Sequence, residues 1–369
     1  MTSYQLEIQI VAVFAALACA LPGAFLVLRR MSLVSDAISH SVLLGIVLVF
    51  FVVKSISSPL LIAGAAITGL VMVFMVEALQ RTQLVKEDAA IGLVFPMLFS
   101  MAVILISHYA SDVHIDNDAV LLGELAFVPL RRVELGGWDL GPQAAWAIGA
   151  ILAINVGFIA LLFKELKVTT FDPALAAALG FTPALLHYAL MGIVSVTAVG
   201  AFDAVGAVLV VALMIAPPAA AYLLTDRLST MLLLSAALGA GGAISGYWVA
   251  HWMDASIAGS IATMVGLLFV SVLTLAPERG LLAARRRRER QRWEFAQTML
   301  AIHLFNHQGL PDAQKESRVE HLVDAFGWTS EFGARVVSNA ERRGVVVRTN
   351  GSLQLTDRGR NLARTAIVQ

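Results

Sequence analysis

Residues 31–53 read MSLVSDAISHSVLLGIVLVFFVV, an apolar run interrupted by one acid, Asp36, and one imidazole, His40. Residues four apart share a helix face, so these two side chains project side by side. The run is long enough to cross a bilayer, which takes about 20 apolar residues. An Asp near the centre of such a helix costs about 2.5–3.5 kcal/mol on insertion scales. Ionisable groups at membrane depth mark ion or substrate paths, and a carboxylate beside an imidazole suits divalent cations.

Working outward, comparable runs occur at Leu6–Leu28, Leu33–Val53, Pro59–Leu79, Ala89–Tyr109, Gln143–Phe163, Pro183–Ala201, Ala204–Leu224, Thr230–Ala250 and Ser256–Ala276. Almost no loop separates the two runs that meet near Ala201, so eight helices with one broken there is the alternative to nine. With 58% hydrophobic and 14% charged residues in a chain of 369, a soluble enzyme is excluded and an all-α polytopic membrane protein is expected. The single cysteine, Cys19, excludes a disulfide framework and a Cys-rich zinc site, and reads as a small packing residue. The first run lacks a basic leader with a small-residue cleavage site and reads as a retained helix.

Basic residues set the orientation. Arg29/Arg30, Arg81/Lys86, Lys164/Lys167, Arg227 and Arg279 fall in alternate loops, which predicts an external N-terminus and a cytosolic C-terminus. Lys54 and Arg131/Arg132 break the rule. The apolar pattern stops at Pro277, which divides the chain into a membrane domain over 1–284, a basic linker over 285–292 and a soluble domain over 293–369. The linker arginines read first as a headgroup anchor attracted by anionic lipid.

No Gly-x-x-x-x-Gly-Lys-Ser/Thr loop occurs, so the chain is not expected to hydrolyse ATP. Lys164–Thr182 is a cytosolic loop by the charge pattern and a candidate docking surface. Thr170 or Asp172 can cap a short helix with Pro173 in its first turn, Ala174–Leu179 form a compact face, and Gly180 ends it. On the external side, Asp112, His114, Asp116 and Asp118 form a vestibule able to concentrate a divalent cation, a solvated acidic loop being the bland alternative. Glu124 sits in the apolar run Ala119–Leu130, where a carboxylate needs a partner. Asp203 reads as a helix cap or part of the external mouth, His251 and Asp254 as solvated surface, and Gly239, Gly241, Gly242 and Gly246 as close-packing positions.

Three strings carry a resemblance. RRMSLVSDAISHSVLLGI (29–46), ELKVTTFDPALAAALGF (165–181) and GAVLVVALMIAPPAAAYLLT (206–225) resemble the permease subunits of bacterial ABC importers for zinc, manganese and iron. HIDNDAVLLGELAF (114–127) is similar to the branch linked to manganese. The resemblance implies a pore-forming subunit in the bacterial plasma membrane, paired with a second permease subunit, either a copy of itself or a sister chain. It further implies an ABC ATPase subunit and a metal-binding solute-binding protein as partners. No cofactor is implied beyond the cargo, Mn²⁺ first, with Zn²⁺ or Fe²⁺ close. Asp36, His40 and Glu124 correspond to an intramembrane metal station, and Phe171, Asp172, Pro173, Ala177 and Gly180 to the ATPase coupling loop. Such ligands cannot by themselves select manganese over zinc.

Beyond the arginines, Trp293–His307, Arg318–Ala325 and Ser330–Arg342 read as helices, Val345–Leu355 as a hairpin turning at Asn350-Gly351, and a last helix follows Thr356-Asp357. With LTDRGRNLA, this α+β pattern resembles the winged-helix domain of diphtheria-toxin-type metal-dependent repressors. Residues 285–369 hold 15 basic and 9 acidic side chains. The expected recognition helix mixes Arg335, Arg342 and Arg343 with Glu331 and Glu341. DNA is therefore the weaker partner, and a docking or regulatory module the preferred reading. His303 and His307, four apart, can bind a regulatory metal, surface histidines being the bland alternative. The competing function for the whole chain is a membrane-anchored, metal-responsive regulator acting through this domain.

Overall fold

The structure is a computed structural model that describes residues 3–54, 60–109, 125–135, 138–310, 313–349 and 351–368. They fall into two compact units, Met1–Gly280 and Leu281–Gln369.

Among the described residues of the first unit, nine helices are long and apolar enough to span a membrane. They are α1 (Ser3–Leu28), α2 (Ser32–Val53), α3 (Leu60–Arg81), α4 (Glu87–Tyr109), α5 (Gln143–Leu161), α8 (Pro183–Val205), α9 (Ala207–Leu224), α10 (Leu228–Met253) and α11 (Ile257–Leu275), with the short α6 (Phe163–Phe171) and α7 (Pro173–Ala178) between α5 and α8. The ambiguity near Ala201 resolves into two helices, with the joint further along the chain. Gly206, at φ +79°, ends α8 and starts α9, a conformation glycine adopts without a Cβ penalty.

Helix α1 is the most buried span and packs against α5, α8, α9 and α10, while α2 packs against α3, α4 and α8. Pro22 lies inside α1, and without an N–H it leaves the Ala18 carbonyl short of its usual i+4 donor. Asn155 on α5 fills that place: its Nδ2 donates to the Ala18 carbonyl at 2.8 Å and to Thr197 Oγ1 at 2.9 Å. Close approach governs other contacts. A Cβ on Gly246 of α10 would strike the backbone of Ile261 on α11, and one on Gly45 of α2 would strike the Gly64 carbonyl of α3. Gly239 and Gly242 also face neighbouring helices, whereas Gly241 meets nothing within 4 Å.

At the end of the bundle holding the α1 N-terminus, β1 (Arg132–Leu135) and β2 (Trp138–Pro142) form an antiparallel hairpin. Arg132 grips Glu7 of α1 at 3.0 Å and Asp139 at 2.6 Å, and Arg131 meets Asp203 at 3.5 Å. The two arginines that break the charge rule are thus each paired with an acid. Asp203 is engaged here, not as a cap.

The second unit comprises α12 (Leu281–His307), α13 (Ala313–Glu316), α14 (Val319–Ala325), α15 (Ser330–Arg342), β3 (Val346–Thr349), β4 (Ser352–Leu355) and α16 (Asp357–Val368). Its core gathers Leu300 and Leu304, Val336 and Val337, Val346, Leu353 and Ala363. Thr329 caps α15 by accepting from the Phe332 N–H at 3.3 Å. Thr349 pairs with Ser352 across a two-residue turn that includes Gly351 at φ +80°. Residues 285–292, expected as a linker, are part of the continuous helix α12. Arginine and glutamate favour helix, and Arg285–Glu289 (3.6 Å) and Arg290–Glu294 (2.8 Å) are i, i+4 pairs. The one-turn α13 was not expected.

Candidate functional site

Asp36 and His40 lie in the first half of α2, about 6 and 12 Å along the axis from Ser32 at 1.5 Å per residue. His40 Nε2 sits 3.5 Å from Asp36 Oδ1, with the side chains 36% and 49% exposed respectively in the isolated chain. Their neighbours Ala37, Ile38 and Ser39 are buried, so the pair occupies the one face of this turn that the fold leaves open. The imidazole is backed by α4, with ring centroids 5.8 Å from Phe95 and 6.2 Å from Phe99. Among the described residues, His40 is the only basic side chain paired with Asp36. A carboxylate and an imidazole on an open, apolar-backed face retain lone pairs for a cation and room for further ligands.

A second polar cluster sits at the end of the bundle opposite the hairpin. Arg29, between α1 and α2, donates to Thr170 Oγ1 (3.2 Å), Thr169 Oγ1 (3.4 Å) and His187 Nδ1 (3.2 Å). A guanidinium only donates, so Nδ1 accepts and the ring proton is left on Nε2, which lies 2.7 Å from Glu77 Oε1. The Tyr188 hydroxyl donates to Glu77 Oε2 at 2.5 Å. Burial lowers the Arg29 pKa from its ordinary value, but a guanidinium stays charged, and three acceptors answer that charge. The cluster therefore ties the foot of α2 to α3, α6 and α8.

Immediately beyond Thr170, the residues read as a coupling loop fold as their types require. Asp172 Oδ1 accepts from the Leu175 N–H at 2.9 Å, capping α7, and Pro173 takes the first helical position. Thr170, the alternative cap, is instead engaged by Arg29. Gly180, at φ +87°, ends the turn, its N–H bonding the Ala177 carbonyl at 3.0 Å. Phe171 at the end of α6, Leu175 in α7 and Leu179 just beyond it stand 57%, 49% and 59% exposed.

Asp112, His114, Asp116, Asp118 and Glu124 lie outside the described residues. The His303 and His307 rings meet at a tilt of 38° in the last turns of α12, with centroids 4.6 Å apart. Two residues gain significance that the sequence did not advertise, Glu77 and Asn155, while His187, which reads in the sequence as an interfacial histidine, gains its partners Arg29 and Glu77 only in the fold. Glu77 is detectable as an acid within an apolar run with Arg81 four residues on, 3.9 Å away, but Tyr188 and His187, its closer partners, lie more than a hundred residues along the chain.

A family model described as the ABC 3 transport family matches residues 1–276. The chain is 48% identical over 362 residues to the zinc transport system membrane protein TroD of Treponema pallidum, covering 98% of each chain. It is 46% identical over 285 residues to the manganese transport system membrane protein MntD of Bacillus subtilis, covering 77% of this chain and 96% of that one. Among solved structures, PsaBC from Streptococcus pneumoniae in complex with Fab matches with a TM-score of 0.64 and 27% identity, covering 77% of this chain and 96% of that chain. The match to TroD thus extends across both units, while the family model ends within the first. With nine candidate spans among its described residues, the chain belongs to the ABC 3 transport family, as a multi-pass permease subunit and not the component that hydrolyses ATP.

Proposed function

We propose that this chain forms one half of a membrane pathway for divalent transition-metal ions, with Asp36 and His40 as ligands of an intramembrane station. The observation that carries the reading is the carboxylate–imidazole pair 3.5 Å apart on an open face of a spanning helix. Glu124 is assigned as a third ligand, and Asp112, His114, Asp116 and Asp118 as the external vestibule. The cargo is Mn²⁺, Zn²⁺ or Fe²⁺, consistent with relatives named for zinc and manganese transport. Oxygen and nitrogen ligands of this kind do not rank those metals by geometry-independent affinity beyond the Irving–Williams order. Selection therefore belongs to site shape and to a solute-binding protein that delivers the ion.

The Arg29 end is assigned to the cytosol, because Arg29/Arg30, Arg81/Lys86, Lys164/Lys167, Arg227 and Arg279 gather there. Phe171, Leu175 and Leu179 then form the seat for an ATPase subunit, and the Arg29–His187–Glu77 cluster joins that seat to the foot of α2. ATPase closure would drive the exchange of outward- and inward-facing states, with a second permease subunit, a copy or a sister chain, closing the open face of α2.

The second unit is assigned as a cytosolic winged-helix module with β3–β4 as its wing. Arg335 is held by Glu331 at 2.6 Å, Arg343 reaches Gln297 at 3.3 Å and Arg348 reaches Glu341 at 3.4 Å, so this module supports docking or regulation ahead of DNA contact. The alternative of a membrane-anchored regulator is not favoured, since TroD, named as a zinc transport system membrane protein, matches 98% of the chain.

ATP-driven uptake into proteoliposomes tests the station. Asp36→Ala and His40→Ala are each expected to lower Mn²⁺ and Zn²⁺ uptake by at least tenfold while the assembled complex still purifies intact. Uptake at the unmodified rate in both variants refutes the assignment.

A further inference from the structure

The last turns of α12 present His303 and His307, α13 ends on Glu316, and the first turn of α14 presents His321. One ligand atom from each of His303, His307 and Glu316 lies within 4.8 Å of the other two. Glu316 Oε2 stands 3.3 Å from His303 Nε2 and 2.8 Å from His321 Nε2. Two ligands held about 2.1 Å from a tetrahedral metal sit about 3.4 Å apart, so His303, His307 and Glu316 stand near metal-holding separations, and His321 adjoins them through Glu316.

The cluster is partly sheltered. His303 and Glu316 side chains are 16% and 18% exposed, and Phe326 meets the His303 ring edge-on with centroids 5.3 Å apart. His303 Nε2 is buried and makes no hydrogen bond, although Glu316 Oε2 lies 3.3 Å away. Buried polar atoms without a partner are uncommon in folded proteins, and a missing ion is among the ordinary reasons for one.

We propose that the second unit carries its own site for a divalent transition metal, with His303, His307, Glu316 and His321 as ligands. Three imidazoles and one carboxylate suit Zn²⁺ in four-fold coordination and also accept Co²⁺, Fe²⁺ or Mn²⁺. The site shares no residue with Asp36 and His40 and does not depend on the transport reading. Only the His303–His307 spacing is visible in the sequence. Glu316 and His321 join through the unexpected one-turn helix α13.

The test uses the full-length chain in detergent, purified through a tag without histidine and titrated with Co²⁺ and then Zn²⁺. The Asp36→Ala/His40→Ala variant is expected to retain one bound Co²⁺ with the visible absorption of a four-coordinate ion, displaced by Zn²⁺. The His303→Ala/His321→Ala variant is expected to lose that absorption and to weaken Zn²⁺ binding at least tenfold. Glu316→Gln, which preserves size and shape, is expected to weaken it by a similar factor at an unchanged metal-free melting temperature. Absence of the absorption in the Asp36→Ala/His40→Ala variant, or undiminished binding in Glu316→Gln, overturns the proposal and leaves the cluster as carboxylate-bridged histidines.

Discussion

Replacing Asn155 with Ala should destabilise the first unit by about 1–2 kcal/mol through a carbonyl on another helix. Asn155 is 1% exposed and bridges α5 to the Ala18 carbonyl and to Thr197. Leaving a buried acceptor unsatisfied costs about 1–3 kcal/mol in soluble proteins, whereas hydrogen bonds between membrane helices average about 0.6 and reach about 1.7 kcal/mol. The membrane values set the expectation for the bond, and a small cavity adds to it. Pro22→Ala separates the two contributions, because that substitution restores a backbone N–H able to reach the Ala18 carbonyl. In that background Asn155→Ala still leaves the cavity but no longer strands the carbonyl, so its cost should fall by about 1 kcal/mol. Equilibrium unfolding of the four proteins in mixed dodecyl maltoside and SDS micelles gives the double-mutant cycle. A coupling energy within about 0.3 kcal/mol of zero, the scatter of independent sites, refutes the idea that Asn155 repairs the proline gap.

Gly246→Ala places a methyl against the Ile261 backbone and should cost about 1–3 kcal/mol by overpacking, while Gly241→Ala, which meets nothing within 4 Å, should stay within about 0.5 kcal/mol of neutral. The same micelle unfolding measures both, and equal effects would show that α10 and α11 do not approach at Gly246. The Arg132 guanidinium, with the Gly141 N–H, holds the Asp139 carboxyl below the usual carboxylate range. Its contribution is therefore fully present above the unfolded pKa of about 3.9 and is lost as pH falls through the lower folded value. The melting-temperature gap between the native chain and Arg132→Ala should accordingly be constant from pH 7 to 5 and narrow below about pH 4. A gap that widens on acidification contradicts the pairing.

The spans were legible because a bilayer imposes a length on apolar runs, and the α7 cap because Asp172-Pro173 and Gly180 act within one turn. What escaped was carried by distance in the chain. Asn155 answers a carbonyl 137 residues earlier, and Glu77 meets Tyr188 111 residues later. Pro22 strands a carbonyl, but nothing near it in the chain names the donor. The arginine run was read by its charge, although its arginine, glutamate and glutamine content argued equally for helix. The α8–α9 joint was misplaced because Gly206 sits inside an apolar run, where only a positive φ distinguishes a joint from a packing glycine. The adjacency of Asp36 and His40 is legible because four residues is a local spacing.

Three successive helices are joined with almost no free play. Only residues 179–182 separate α7 from α8, and Gly206 alone separates α8 from α9. At about 3.8 Å per Cα step, the first tether reaches no farther than about 19 Å and the second about 7.6 Å. A load that pulls α7 past the first limit must drag the foot of α8, and α9 cannot lag behind its neighbour by more than two steps of chain. The α7–α8–α9 series is thus built like a short linkage, in which travel at one member is taken up by the next instead of being lost in slack.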